Sequence, residues 1–272
     1  MPVLEVNNRH IDYLDQGKGS IVLLIHSASS SNRQWRHLVD RLASRYRVIA
    51  VNLFGYGQTT PWPDDKAQTI LDHTELVLAL MDMIPGPVHL VGHSLGGVVA
   101  MEVALLRSNQ VASLAMYEPN PFHLLQHHGD TEGFDCMVAM MDETEALYRQ
   151  GLLEQAARHF IVFWSDEASW NALPEERRTR FAASIGASVH EGRALQNNTT
   201  KLGDYAGLTL PSLLMYARDT LPAIHAVQQV LVQACPHWQV HVFNEGGHLA
   251  PLTHADQVNA QIEMFLDAQP VY

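Results

Sequence analysis

Four short runs in the first half of the chain are largely apolar. A strand that is covered by helices on both faces of a sheet has this pattern, because neither of its faces meets water. The runs are residues 20–25, 46–52, 88–91 and 112–117. Two segments before them, residues 3–7 and 10–15, alternate between apolar and polar positions and predict a half-buried hairpin.

Helical periodicity lies between these runs. Apolar residues recur three or four positions apart, which is the spacing that gives a helix one apolar face. The predicted helices are residues 35–44, 70–83 and 95–107. Strands and helices therefore alternate, as they do in the βαβ units that build a parallel sheet.

The alternation stops in the middle of the chain and returns near its end. Residues 122–205 show helical patterns only. The later elements are predicted strands at 212–216 and 239–243 and predicted helices at 223–233 and 255–266. The sequence thus predicts one α/β core, formed by residues 1–121 and 206–272, that is interrupted by a helical insertion.

Charge narrows the classes of partner. The 272 residues carry 29 acidic and 17 basic side chains, which gives a net charge of −12, and the basic residues form no run. Such a surface repels nucleic acid and anionic membranes, so we expect neither as a partner. A small-molecule substrate is the expected partner, and a homodimer is compatible with the sequence.

The first residues and the cysteines indicate a soluble cytoplasmic protein. The start lacks the basic and apolar segments of a secretion signal, and no run approaches the ~20 apolar residues of a membrane span. Cys136 and Cys235 are too few for a disulfide framework and match no metal or redox spacing. We therefore expect free thiols and neither a metal nor a cofactor.

One candidate for chemistry lies where the run at 88–91 meets the helix after it. Residues 92–96 read Gly-His-Ser-Leu-Gly. A tight turn here forces Ser94 toward positive φ and brings two backbone segments together, so positions 92 and 96 must lack a Cβ. The turn exposes the Ser94 hydroxyl at the carboxyl end of the sheet, where the Leu95 N–H can face a developing oxyanion.

Several motifs in one order resemble the α/β-hydrolase family along nearly the whole chain. Besides residues 92–97, these are Ile-His-Ser-Ala at 25–28, Phe-Gly-Tyr-Gly at 54–57 and Glu-Gly-Gly-His at 245–248. The resemblance is to the branch with a serine nucleophile. It implies a mostly parallel sheet with helices on both faces, and it implies that residues 122–205 form a helical cap over the active site.

A nucleophilic serine needs a base, and the base needs a carboxylate that orients it. His248 lies in a loop just past a strand and matches the family's catalytic histidine. The resemblance also implies an oxyanion hole formed by the backbone N–H groups of Leu95 and Ala28. Ser27 stands where the family has glycine, so we expect its side chain to crowd this loop.

Two residues are candidates for the carboxylate. Asp219 follows the strand at 211–216, which is the usual position of the acid in the family. It lies one residue earlier than usual, however, and the glycine that normally ends this strand is missing. Glu118 ends the run at 112–117, where some branches with this fold keep their acid. The Tyr-Glu-Pro-x-x-Phe pattern around it resembles a subgroup whose later loop often carries no acid, which favours Glu118 over Asp219.

These residues predict a hydrolase that cleaves a small or medium, largely apolar ester, lactone or related carbonyl compound through an acyl-enzyme. A C–C bond hydrolase, a cofactor-free oxygenase and a non-hydrolytic small-molecule receptor remain as alternatives on the same fold. Haloalkane dehalogenases and epoxide hydrolases of the family use an aspartate as nucleophile, so the serine at position 94 argues against both.

Overall fold

The predicted strands come together in one sheet. The computed structural model describes residues 2–6, 9–128 and 131–270, and within this part the sheet has eight strands in the order β1-β2-β4-β3-β5-β6-β7-β8. The strands are β1 Val3–Val6, β2 Arg9–Gly17, β3 Ile21–Ile25, β4 Arg47–Val51, β5 Val88–His93, β6 Val111–Tyr117, β7 Ser212–Ala217 and β8 Gln239–Phe243. Each lies within a residue or two of the segment that the apolar pattern predicts.

Most of the sheet is parallel. Strands β3 to β8 run in one direction, while β2 pairs antiparallel with β1 and with β4. The carboxyl ends of β5 and β6 lie side by side, because His93 pairs with Tyr117 in their register. The next residue of each strand therefore comes to the same edge of the sheet, and these residues are Ser94 and Glu118.

Helices cover both faces of the sheet, as the continuous apolar runs predict. On one face Val22 and Leu24 pack against α1 Arg36–Leu42 and α11 Ala255–Asp267, which follows the short helix α10 Ala250–Thr253. On the other face Leu23 and Ile25 belong to the same core as α2, α3 and α9. Those three helices are Ile70–Met81, Leu95–Leu106 and Pro222–Ala234. The fold is the mostly parallel α/β architecture that the sequence predicts.

The segment between β6 and β7 is helical. It contains α4 Thr131–Arg149, α5 Leu153–Trp164, α6 Glu167–Ala172, α7 Glu175–Gln196 and α8 Leu202–Ala206. Helices α4, α5 and α7 pack on one another, which fits a cap; the division of the chain at residues 122 and 205 stays a prediction. Among the described residues, no helix has the length and apolar character needed to cross a bilayer.

Candidate active site

Ser94 occupies a strained turn between β5 and α3. Its φ is 54° and its ψ is −119°, a conformation that a residue with a side chain rarely adopts. A Cβ at position 92 would overlap the carbonyl of Gly96, and a Cβ at position 96 would overlap the carbonyl of Ile25. Both glycines are therefore required by close approach of the backbone, and the predicted positive φ of Ser94 is confirmed.

Ser94, His248 and Glu118 form a chain of hydrogen bonds. The Ser94 Oγ lies 2.9 Å from Nε2 of His248, and Nδ1 of His248 lies 2.7 Å from Oε2 of Glu118. Because a carboxylate can only accept, Nδ1 carries the proton and Nε2 is free to accept the serine hydroxyl's proton. This is the order of donors and acceptors that turns a serine hydroxyl into a nucleophile.

Glu118 is fully buried and is held by two further groups. It follows β6 and has a positive φ of 40°. Its Oε1 accepts the backbone N–H of Ala217 at 2.9 Å, and its Oε2 accepts the hydroxyl of Thr220 at 2.8 Å. A buried carboxylate needs such partners, since an unpaired charge away from water is strongly disfavoured.

Asp219, the other candidate acid, lies elsewhere. Its two carboxylate oxygens accept the backbone N–H groups of Gly246 and Gly247, at 3.1 Å and 2.9 Å, and its side chain is exposed. Asp219 therefore binds the backbone of the loop that carries His248, and it does not bind the imidazole ring. Of the two candidates, the structure brings Glu118 to His248.

Two more groups hold the same loop from the sheet side. The hydroxyl of Tyr117 donates to the carbonyl of Gly247 at 2.8 Å, and Nε2 of His93 donates to the carbonyl of His248 at 2.9 Å. Burial lowers the pKa of His93 well below its ordinary value, so its ring is neutral and has a single N–H to give. His93, next to the serine, thus fixes the backbone of the candidate base.

The two residues predicted to supply the oxyanion hole lie next to Ser94 and in the loop after β3. Leu95 is the first residue of α3, so its N–H has no acceptor within the helix. In the loop after β3, the N–H and hydroxyl of Ser27 both donate to Oε1 of Gln34, at 3.2 Å and 3.1 Å. The N–H of Ser29 donates to the hydroxyl of Tyr56 at 2.8 Å. Ala28 lies between these two anchored residues, and the hydrogen bond to Gln34 accommodates the side chain of Ser27.

A cavity of about 450 Å³ opens above Ser94 and His248. The sheet side of its wall includes Ser27, Ala28 and Ser29. The helical insertion supplies an apolar wall of Met141, Phe160, Ile161, Trp164, Leu173 and Phe181. Arg36 and Arg177 also line the cavity, and both are exposed to solvent. Cavities of this size accommodate small or medium organic molecules.

Several residues of this site were not predicted from the sequence. Thr220 lies in the loop after β7 and Gln34 in a short 3-10 helix after β3. Only the pairing of β6 with β7 and the path of the chain after β3 reveal what these two residues hold. Arg36 and Arg177 are far apart in the sequence but line the same cavity. No local pattern distinguishes them from other surface arginines.

Comparison with known proteins agrees with this geometry. A family profile described as the alpha/beta hydrolase family matches residues 22–261, and the chain belongs to this family. It is 26% identical over 272 residues to the 2-hydroxy-6-oxononadienedioate/2-hydroxy-6-oxononatrienedioate hydrolase of Cupriavidus pinatubonensis, covering 93% of this chain and 89% of that protein.

Two further similarities concern esterases. The chain is 26% identical over 261 residues to the pimeloyl-[acyl-carrier protein] methyl ester esterase of Aliivibrio salmonicida, covering 93% of this chain and 95% of that protein. Its fold is similar to a carboxylesterase structure from Nitrososphaera gargenis, with a TM-score of 0.78, 18% identity and coverage of 98% of both chains. The relatives named here are hydrolases.

Proposed function

We propose that the protein is a serine hydrolase that cleaves a small or medium ester or lactone through an acyl-enzyme. The observation that carries this proposal is the hydrogen-bonded chain from Ser94 through His248 to Glu118 at the floor of the cavity. A similar function in the esterase of Aliivibrio salmonicida supports it.

The geometry supports the following reaction. Ser94 Oγ attacks the substrate carbonyl while its proton passes to Nε2 of His248, and Glu118 stabilises the imidazolium that forms. The N–H groups of Leu95 and Ala28 hold the negative charge on the former carbonyl oxygen. His248 then gives its proton to the leaving alcohol. A water molecule, deprotonated by His248, releases the acid product and restores Ser94.

The walls of the cavity indicate which ester it accepts. The insertion acts as a cap in this proposal, and its apolar wall suits an apolar body of the substrate. Arg36 and Arg177 at the cavity suit a negative charge at the other end, which the protein's net charge of −12 would otherwise repel. The substrate would therefore be a largely apolar ester or lactone with an acidic group away from the reacting carbonyl.

A C–C bond hydrolase is the second candidate. It is favoured by the similarity to the 2-hydroxy-6-oxononadienedioate/2-hydroxy-6-oxononatrienedioate hydrolase, whose named substrates are also acidic. The same serine, base and oxyanion donors could serve such a substrate. Turnover of dienedioates with little turnover of esters would favour this candidate over the first.

Labelling by a fluorophosphonate tests the proposal. The reagent is expected to add one phosphonyl group to the peptide that contains Ser94, and Ser94→Ala should lose both the adduct and esterase activity while keeping its circular dichroism spectrum. Ser165→Ala removes another serine of the cavity wall and should still be labelled. An adduct on a different serine would rule out Ser94 as the nucleophile.

A further inference from the structure

A buried cluster of hydrogen bonds joins helix α7 to the loop at residues 27–29. Oε2 of Glu191 lies 2.8 Å from the hydroxyl of Tyr56, which also accepts the backbone N–H of Ser29 at 2.8 Å. Ser188, one turn before Glu191, lies 2.5 Å from the Ser29 hydroxyl and 3.2 Å from that of Tyr56. The cluster thus links the insertion to the segment that contains Ala28.

The direction of one of these hydrogen bonds is fixed by chemistry. A backbone N–H can only donate, so the Tyr56 hydroxyl accepts from Ser29. In the structure the hydroxyl gives its own proton to Oε2 of Glu191. Burial raises the pKa of Glu191 to about 8, so at neutral pH the side chain is largely a neutral acid that still accepts this proton. Loss of the Tyr56 hydroxyl would leave buried groups on both sides without their partner.

The backbone of the loop at residues 27–29 is strained and is held by side chains from other parts of the chain. Ser29 has a φ of 52°, in the left-handed region that residues with a side chain rarely occupy. Ser27 is anchored to Gln34, so the residues on both sides of Ala28 are held by side chains. Tyr56 and Glu191 lie behind the cavity wall, whereas Ser29 and Ser188 form part of it.

We propose that Tyr56 and Glu191 are positioning residues for the oxyanion hole: helix α7, docked on the loop through this pair, sets the direction of the Ala28 N–H. Catalysis then depends on the docking of the cap helix, although neither side chain touches the reacting atoms. This inference rests on the proposed function, since it assumes that Ala28 stabilises an oxyanion.

The test compares four variants in the hydrolysis of a p-nitrophenyl ester. Tyr56→Phe and Glu191→Leu break the pair, while Glu191→Gln keeps an acceptor of the same shape. Tyr205→Phe is the matched control, because Tyr205 is also buried and its hydroxyl also donates to a glutamate, Glu102, at 2.7 Å. Tyr205 lies on α8 and Glu102 on α3, away from the pair that is tested. The affinity of a trifluoromethyl ketone, which forms a tetrahedral oxyanion on the serine, is measured for each.

Loss of the pair should act on the transition state and not on ground-state binding. Tyr56→Phe and Glu191→Leu should lower kcat by about 10- to 100-fold and should lower the affinity for the ketone by a similar factor. KM should change less than about threefold. Glu191→Gln and Tyr205→Phe should stay within about threefold of wild type in kcat.

The outcomes separate this inference from the proposed function. If Tyr56→Phe keeps wild-type kcat and ketone affinity while Ser94→Ala is inactive, the positioning role is wrong and the serine mechanism stands. An equal loss in Tyr205→Phe would trace the effect to general destabilisation and would also overturn the role. Should Glu191→Leu fail to fold, Tyr56→Phe decides alone. Full activity in Ser94→Ala would overturn both proposals.

Discussion

The indole ring of Trp164 is stacked on the imidazole ring of His248, with ring centroids 4.5 Å apart and planes inclined by 27°. Trp164 ends helix α5, so the insertion reaches the candidate base directly. The indole covers one face of the imidazole from water. In the proposed mechanism the indole would also attract the imidazolium that forms when His248 takes the serine proton, because an aromatic face interacts favourably with a cation.

Replacement of Trp164 should therefore affect the chemical step as well as the fit of substrates. Trp164→Ala should lower kcat on a short ester by about 2- to 30-fold, which corresponds to about 0.5–2 kcal/mol of lost attraction. Trp164→Phe keeps a ring over the imidazole and should recover part of the loss. The measurement is kcat over a series of p-nitrophenyl esters from acetate to octanoate, with thermal unfolding as the control for stability. Equal rates in Trp164→Ala and wild type on every ester would show that the stacking has no role in catalysis.

Two amide variants distinguish the candidate acids. Glu118→Gln should lower kcat by about 10⁴-fold, because an amide can donate to the imidazole and favours the wrong tautomer. Asp219→Asn should lose much less activity, since it weakens the hold on the loop at Gly246 and Gly247 but leaves His248 paired with Glu118. The reverse order of the two effects would return the role of the acid to Asp219.

The arginines of the cavity should select for charge. Arg177→Gln and Arg36→Gln should each lower kcat/KM by about two- to fivefold for an ester with a distal carboxylate, and leave a neutral ester of similar size unchanged. Added salt should reduce the difference. Arg180→Gln serves as the control. Arg180 lies on α7, as Arg177 does, but it pairs with Glu176. Equal effects of Arg177→Gln on both esters would argue against a subsite for an anion.

Buried histidines should make the fold sensitive to acid. Burial lowers the pKa of His26 to about 4 and that of His73 to about 3, and it lowers the pKa of His93 as well. The folded state then keeps these rings neutral while the unfolded state binds protons below pH ~6.5. Stability is therefore complete above this pH and falls as the pH drops from about 6.5 toward 4.

His73 offers a direct check of this dependence. Both of its ring nitrogens are buried without a hydrogen-bond partner in the described part of the chain. His73→Leu should be more stable than wild type at pH 7. As the pH falls below 6, its free energy of unfolding should decrease less steeply than that of wild type. The two slopes should differ by about 1.4 kcal/mol per pH unit, because the substitution removes one group that binds a proton on unfolding. Urea unfolding between pH 5 and pH 8 measures both quantities; parallel curves for the two proteins would contradict the prediction.

The strands and the serine turn could be predicted because their causes are local. Apolar runs between helical patterns are sufficient to place β3, β5 and β6, and the glycines at 92 and 96 indicate the tight turn at Ser94. The order of the motifs along the chain then indicates the family, and with it His248. The register of β5 and β6 then explains the position of the acid, since the pairing of His93 with Tyr117 brings Ser94 beside Glu118.

The choice of acid and the cap contacts could not be predicted in the same way. Asp219 and Glu118 both follow strands that end at the same edge, and only the path of the loop after β7 decides which of them reaches His248. The contacts of Trp164 with His248 and of Glu191 with Tyr56 join residues far apart in sequence. They depend on how the helices of the insertion pack against the sheet, and amphipathic patterns do not define that packing.

Direct detection of the acyl-enzyme tests whether Ser94 is the nucleophile. When the protein is mixed with a p-nitrophenyl ester and quenched in acid during turnover, mass spectrometry should find the acyl group on the peptide that contains Ser94. Ser94→Ala, otherwise folded as wild type, should show neither the adduct nor turnover. An acyl group on another residue, or full turnover by Ser94→Ala, would contradict the proposal that Ser94 is the nucleophile.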